Sequence, residues 1–372
     1  MAHALLSASS ADRWLHCPPS VRLTEGLADK GSSYAAEGTL AHAMAEEALT
    51  AFMEAREPDF EPFRKDPYYY PGMEEDILPY TDYVKETFLA GAEELALEQR
   101  LDFSAYVPRG FGTGDAVILS QGQVEIVDLK FGKGVPVSPI RNPQLMLYGL
   151  GAYLANDWLF SIDLVRMTIV QPRLDFIDSY ELSADMLLDW ATNTVAPQAK
   201  LAFAGKGDMQ AGSWCRWCKL KSTCRTRASQ HMDFYRASSD RELDTAEIAD
   251  VLAQADAIKA WLADIETGAA ETISAGGEIP GWKLVEGRSN RKITDPDGLA
   301  AALKAGDYTE ADIYKPQELK TLTNLEKLVG KKAFASDYGS FITKPPGKPT
   351  LVPESDKRPA LNSPEEEFTF DD

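Results

Sequence analysis

The chain has 372 residues, 44% of them hydrophobic, and a formal net charge of -20, which is enough apolar material for a core and a second, smaller unit. No stretch approaches the roughly 20 apolar residues that span a bilayer, and the opening MAHALLSASSADRW lacks a basic segment followed by an apolar one, so a membrane protein is excluded and a cytoplasmic one expected. A charge of this size also opposes contact with phosphate backbones, but it is unevenly spread: residues 1–100 carry 8 basic against 19 acidic side chains, 233–372 carry 17 against 27, and 101–232 carry 13 against 12.

In chain order, Tyr34–Arg56 is rich in Ala, Glu, Leu and Met and predicts a helix, and Glu74–Arg100 predicts another. Strands are expected over Leu101–Val107, Gly114–Leu119, Gln123–Phe131 and Leu164–Val170 from their β-branched and aromatic content, with helices over Pro143–Ala155 and Ala184–Ala204. That order predicts an α/β fold with a mixed sheet. Beyond Cys224 come a long polar-faced helix, Thr245–Ile273, the pair Gly276–Gly277, and a small region from Trp282 to Phe341. The Pro-rich, charged end from Lys344 onward cannot bury enough apolar surface to order itself. The expected organisation is therefore a main domain over 1–235, a connecting helix over 236–280, a small C-terminal domain over 281–343, and a disordered acidic tail over 344–372.

Chemistry concentrates in Gly114–Phe131. With Gln121–Gly122 as a two-residue turn, Leu119 faces Val124, Val117 faces Ile126 and Asp115 faces Asp128, all six on one face. Two apolar pairs thus lead to two carboxylates with Cβ atoms about 5 Å apart, which repel unless a hard divalent ion such as Mg2+ or Mn2+ lies between them. Lys130 points to the same face and adds a charge for a phosphate oxygen or an attacking water. The alternative is a surface salt network in which Lys130 only neutralises the two aspartates.

Cys215, Cys218 and Cys224 form C-x2-C-x5-C, and Cys17, far upstream, is the remaining cysteine of four. In a reducing compartment such a set holds metal rather than disulfides, and Cys17 would tie the start of the chain to a point past its middle. A structural Zn2+ fits the spacing. Arg216, Lys219, Lys221, Arg225 and Arg227 interleave with these cysteines without an acidic residue among them. They either contact nucleic acid or offset thiolate charge.

Gly112-Thr113-Gly114-Asp115 followed by Asp128-Leu129-Lys130 resembles the split acidic motif of the PD-(D/E)XK nuclease superfamily. Gly38-Thr39-Leu40-Ala41-His42 resembles the G-x-x-x-H motif of its RecB-like branch, and Gln144-Leu145-Met146-Leu147-Tyr148 the Q-x-x-x-Y motif of that branch, in matching order. The four cysteines are similar to the iron-sulfur staple of AddB-type and CRISPR-associated adaptation nucleases, and the chain as a whole resembles phage-encoded RecB-like nucleases. The resemblance implies a restriction-endonuclease-like core with a mixed sheet flanked by helices, a helical extension and a small C-terminal region. It implies His42, Asp115, Asp128 and the Leu129 carbonyl as metal ligands, Lys130 as the residue that orients water, and Gln144 and Tyr148 as supports for Lys130 or for substrate phosphates; Glu37 lies nearby. Taken alone, His42 reads as a packing histidine and Tyr148 as core. The implied cofactors are Mg2+ or Mn2+ and a 4Fe-4S cluster on Cys17, Cys215, Cys218 and Cys224. The implied activity is hydrolysis of DNA, by an exonuclease acting at ends or on single strands in phage recombination or replication within the host cytoplasm. The rival functions are a DNA-end-binding scaffold that cuts little and a zinc-stapled adaptor. The tail Glu365–Asp372 looks like the acidic aromatic tips of single-stranded DNA-binding proteins and could dock such a protein or a recombinase, or merely solubilise.

Overall fold

The turn at Gln121–Gly122 closes as its residues dictate, with Gly122 at φ 81° and Ser120 paired to Gln123. The computed structural model describes residues 4–28, 33–236, 244–286, 295–305, 309–314, 322–342 and 356. The chain divides into two compact units, Met1–Ile279 and Pro280–Asp372. The first opens with the short helices α1 (Ala11–His16) and α2 (Ser20–Leu23), followed by α3 (Ser33–Met53) and α4 (Met73–Leu89). Strands β1 (Glu94–Asp102), β2 (Phe111–Ser120) and β3 (Gln123–Leu129) then form an antiparallel meander. Helix α5 (Pro143–Phe160) crosses to β4 (Leu164–Gln171), which is parallel to β3, and β5 (Phe176–Ser183) returns antiparallel. The sheet order is β1-β2-β3-β4-β5. Next come α6 (Ala184–Trp190), a π turn at Ala191–Val195, α7 (Ala196–Ala204), α8 (Arg225–Arg236) and α9 (Thr245–Ser274). This is an α/β fold with a mixed five-stranded sheet flanked by helices.

The sheet buries both faces. Val117, Leu119, Val124, Ile126, Met167 and Ile169 pack with α1, α5, α6 and α7 into the largest core cluster, while Ala116, Ile118, Val127, Leu129 and Val170 pack against α3 and α4. Helix α5 is apolar nearly all round because it lies in the middle of the first cluster. Pro143 starts it, and the Asn142 side chain caps it by accepting from the amides of Gln144 and Leu145. Glu125 points into the second cluster, 2% exposed. It accepts hydrogen bonds from Tyr83 (2.9 Å) and Thr168 (2.6 Å) and so ties α4 to the sheet.

The second unit contains the helices α10 (Pro296–Ala305), α11 (Glu310–Ile313), α12 (Leu322–Val329) and α13 (Lys331–Tyr338), with Ala300 and Phe334 buried. The basic residues Arg288, Arg291 and Lys292 and the expected acidic tail lie outside the described residues, Asp356 excepted. No helix among the described residues is long and apolar enough to cross a membrane.

Two expectations need correction. The helix expected over Glu74–Arg100 ends at Leu89, and the strand expected over Leu101–Val107 instead begins at Glu94 and stops at Asp102. ELALEQRLD is made of good helix formers, but Gly91 turns at φ 122° and Glu94 to Leu97 find backbone partners in Leu119 to Ala116. Tertiary pairing overrides local preference. Strand β5, whose side chains alternate between half-buried and exposed positions, and helix α8 were not foreseen.

At the end of α3, Glu47 grips Arg56 at 2.6 and 3.0 Å and accepts from the Asp59 amide at 2.8 Å. The Arg56 hydrogen bond, with that amide, pulls the Glu47 carboxyl down to about 2. A depressed folded pKa adds stability above the ordinary value of 4.5, and that stability is lost as pH falls toward 2. Glu47→Gln is therefore expected to lower the melting temperature by about 1–3 °C at pH 7. In melts recorded at successively lower pH, the gap should narrow below 4.5; a gap independent of pH would show that the carboxylate contributes nothing.

Candidate metal centre

The cross-strand pairs of the β2-β3 hairpin run from Ser120–Gln123 to Ala116–Val127 and follow the expected register. They stop one step short of the two aspartates. There Asp115 turns its Oδ2 to accept the Leu129 amide at 2.8 Å, and the same oxygen stands 3.4 Å from His42 Nδ1 on α3. Lys130 Nζ lies 2.8 Å from Asp128 Oδ2, so that buried oxygen is ion-paired to the ammonium. Lys130 also donates to Gln144 Oε1 at 3.2 Å, and Gln144 Nε2 donates to the Tyr148 hydroxyl at 3.1 Å. One helix layer thus supplies His42 and the opposite layer Gln144 and Tyr148, and all reach the same end of β2 and β3. Gln144 and Tyr148 buttress Lys130. A Cβ at Gly112 would lie 2.5 Å from the Tyr148 ring, so only glycine lets that ring lie against β2.

Burial raises the Asp128 carboxyl above its usual range; Lys130 opposes this and the Asp115 charge adds to it. Burial also acts to raise Asp115, but His42 first, then Lys130 and the Leu129 amide, outweigh it and hold the group below the usual range. Burial alone would lower His42 and Lys130, yet Asp115 raises the first and Asp128 the second. The constellation is therefore two carboxylates neutralised by two cations.

Glu98 completes a group that sequence reasoning missed. His42, Glu98 and Asp115 each offer a donor atom within 4.8 Å of the others. In the β1-β2 ladder, Leu97 pairs with Ala116 and Gln99 with Gly114, and the pair between them, Glu98 with Asp115, is broken. Glu98 there takes φ 44°, an uncommon conformation for a side chain without glycine's freedom and one that collects at functional sites. Burial, then the Asp115 charge, push its carboxyl up to about 7. Once β1 is read as a strand, its register alone places Glu98 opposite Asp115. An imidazole and two carboxylates suit a divalent ion such as Mg2+ or Mn2+. Asp128 falls outside this group of three and leans on Lys130, and Leu129 enters the site through its amide.

Glu37 is bound elsewhere, to Arg173 at 2.8 Å, and Arg173 also covers the Phe131 ring at 4.8 Å. Cys17, Cys215, Cys218 and Cys224 all line one small pocket with Arg13 and Lys221. They do not stand as a closed ligand set, since no three of their sulfurs lie within 4.8 Å of one another. Burial pushes the Cys215 and Cys218 thiols up. Of the basic residues expected either to meet nucleic acid or to offset thiolate charge, Arg227 is 6% exposed and paired with Asp264 at 2.6 Å, and Lys221 pairs with the same carboxylate at 2.9 Å. Arg216 and Lys219 are exposed, and Arg225 begins α8.

Among solved structures, the chain is similar to the crystal structure of SSO0001, at 18% identity over 59% of this chain and 84% of that one, with a TM-score of 0.28. It is also similar to the crystal structure of LHK-Exo in complex with dAMP, at 11% identity over 52% and 90% of the two chains, with a TM-score of 0.24. Residues 3–359 match the family described as "Protein of unknown function (DUF2800)", a match over nearly the whole length by which the chain belongs to that family.

Proposed function

We propose that the chain is a divalent-metal-dependent nuclease that hydrolyses phosphodiester bonds in DNA, acting as an exonuclease at ends or on single strands. The observation that carries this reading is the convergence of His42, Glu98, Asp115, Asp128 and Lys130, from four separate elements and the residue after β3, on one end of the sheet. The imidazole and two carboxylates of His42, Glu98 and Asp115, with donor atoms within 4.8 Å of one another, favour a ligand role over a closed salt network. When bound, the divalent ion supplies stabilisation of charge on the phosphoryl oxygens and lowers the pKa of the attacking water. Around it, the Leu129 amide fixes the Asp115 carboxylate, with the Leu129 carbonyl as a further donor. Gln144 and Tyr148 hold the Lys130 ammonium toward the same point, where it orients water or a phosphate oxygen. Service in phage recombination or replication, with the acidic tail docking a single-stranded DNA-binding protein or a recombinase, extends the reading. A non-cleaving DNA-end-binding module is the rival.

Four soft donors lining one pocket support a metal-held thiol centre as well. The reading carried forward is the iron-sulfur cluster that the resemblance implies, with a structural Zn2+ as its alternative.

With Mg2+ or Mn2+ and end-labelled single- and double-stranded DNA, wild type is expected to release nucleotides or short fragments, while Asp115→Ala and Lys130→Ala fall by about 10²-fold or more. Wild type and both variants leaving every substrate equally intact would end the enzyme reading, and retained DNA binding would then favour the scaffold. Calorimetric titration with Mn2+ should show Glu98→Gln binding about 10-fold more weakly; unchanged affinity removes Glu98 from the ligand set. Protein purified without oxygen should be brown and contain iron and acid-labile sulfide. Colourless protein with stoichiometric zinc would replace the cluster by Zn2+.

A further inference from the structure

Two cavities meet at the N-terminal segment. One, of about 540 Å³, opens beside the metal centre, lined by Glu98, Gly112 and Tyr148 and by Arg100 and Phe111. The other, of about 600 Å³, lies toward the thiol pocket and is lined by Arg13, Trp214, Trp217 and Lys219. Ala4, Ser7 and Ser9 line both, so the turn before α1 separates two halves of one track. Ser7 Oγ lies 2.9 Å from Ser10 Oγ and 3.2 Å from Ser9 Oγ, which places three hydroxyls on that turn.

Both halves combine an aromatic ring with a cation. In the first, the Arg100 guanidinium stacks 3.7 Å from the Phe111 ring centre. In the second, Trp217 is 77% exposed and lines the cavity with Arg13 and Lys219. A duplex draws its affinity from neutralising a dense row of phosphates, and this track offers few cations. Flat rings with a few cations suit unpaired bases, which offer a stacking face whatever their sequence, and serine hydroxyls suit the phosphates between them.

We propose that this track binds a single-stranded polynucleotide leading to the metal centre, crossing the Ser7–Ser10 turn and stacking an unpaired base on Trp217. The inference rests on the nuclease reading and names the strand state of its substrate and a recognition site remote from the cleavage point. Arg100 and Phe111 guide the strand at the metal-centre end, and Trp217 with Arg13 and Lys219 anchors it at the far end.

The test is fluorescence anisotropy of the full chain with a fluorescein-labelled oligothymidylate of about 20 nucleotides in EDTA, so that binding is read without turnover. Trp217→Ala should weaken binding about 5- to 50-fold, Trp217→Phe should keep most of it because a stacking face remains, and Trp158→Ala, which removes an equally exposed indole outside the track, should change nothing. A blunt duplex of equal length should bind Trp217→Ala and wild type alike. Equal binding of the single strand by wild type and Trp217→Ala, a Phe variant as weak as the Ala variant, or the same loss with the duplex would each overturn the track. If wild type still cleaves DNA in Mg2+ under any of those outcomes, the nuclease reading stands and only the track falls. If wild type neither binds nor cleaves any oligonucleotide, both fall.

Discussion

Two carboxylates brought out of water beside each other set the terms for the rest of the first unit. Asp128 is 2% exposed, and Asp115 faces it across the hairpin end. Like charges in a low-dielectric setting cannot both stay ionised without compensation. The fold supplies that compensation from three directions. The Leu129 amide donates to Asp115, His42 stands against the same oxygen, and Lys130 stands against Asp128. Each donor belongs to a different piece of structure, so the charges can balance only when helix α3, the hairpin and the residue after β3 are all in register. The same demand brings His42, Glu98 and Asp115 together as donors that fit a hard divalent cation.

Around that centre, the supports act by holding groups still. Tyr148 reaches Gln144 only because its ring slides over Gly112, where any side chain would meet it. Gln144 in turn has one donor group and one acceptor group, and they are used on Tyr148 and Lys130. Arg173, 9% exposed at its side chain, ties Glu37 near the start of α3 to the end of β4. The turn of α3 that carries His42 is thereby fixed relative to the sheet. Glu125 does the same for α4, by a hydrogen-bonded network buried under that helix. These polar contacts specify positions more than they add stability, because each exchanges bonds to water for bonds to protein.

The hairpin was legible because two independent signals agree there, a two-residue turn that fixes register and an alternation that fixes the buried face. Leu119–Val124 and Val117–Ile126 could be read off directly and are paired as read. The helices over Pro143 and Ala184 were legible for a similar reason, with Pro143 at the start of one and Gly205 at φ 68° closing the other. Strand β1 was not, since its residues favour helix and its partners lie across a loop. Losing β1 hid Glu98, which is defined as a site residue only by what stands opposite. The basic run beyond Cys215 was legible as composition but not as chemistry, because Asp264, which takes Arg227 and Lys221, lies on a helix far along the chain.

The four cysteines line one small pocket but do not stand as a closed ligand set. Linking Cys17 to Cys215–Cys224 closes a very long loop, and the entropy of such closure is a reason for a metal staple. Yet the same two regions already hold each other by ordinary contacts. Arg22 donates to the Phe203 carbonyl at 2.8 Å and stacks on its ring. His16 lies parallel to Trp214 with ring centres 4.1 Å apart, and Lys219 reaches the Leu27 carbonyl at 2.7 Å. Packing therefore shares in closing that loop. Within the short turn Ser213–Trp217, the Gly212 amide donates to Cys215 Sγ at 3.4 Å, so this thiol also takes part in the local hydrogen bonding of the turn that carries Trp217.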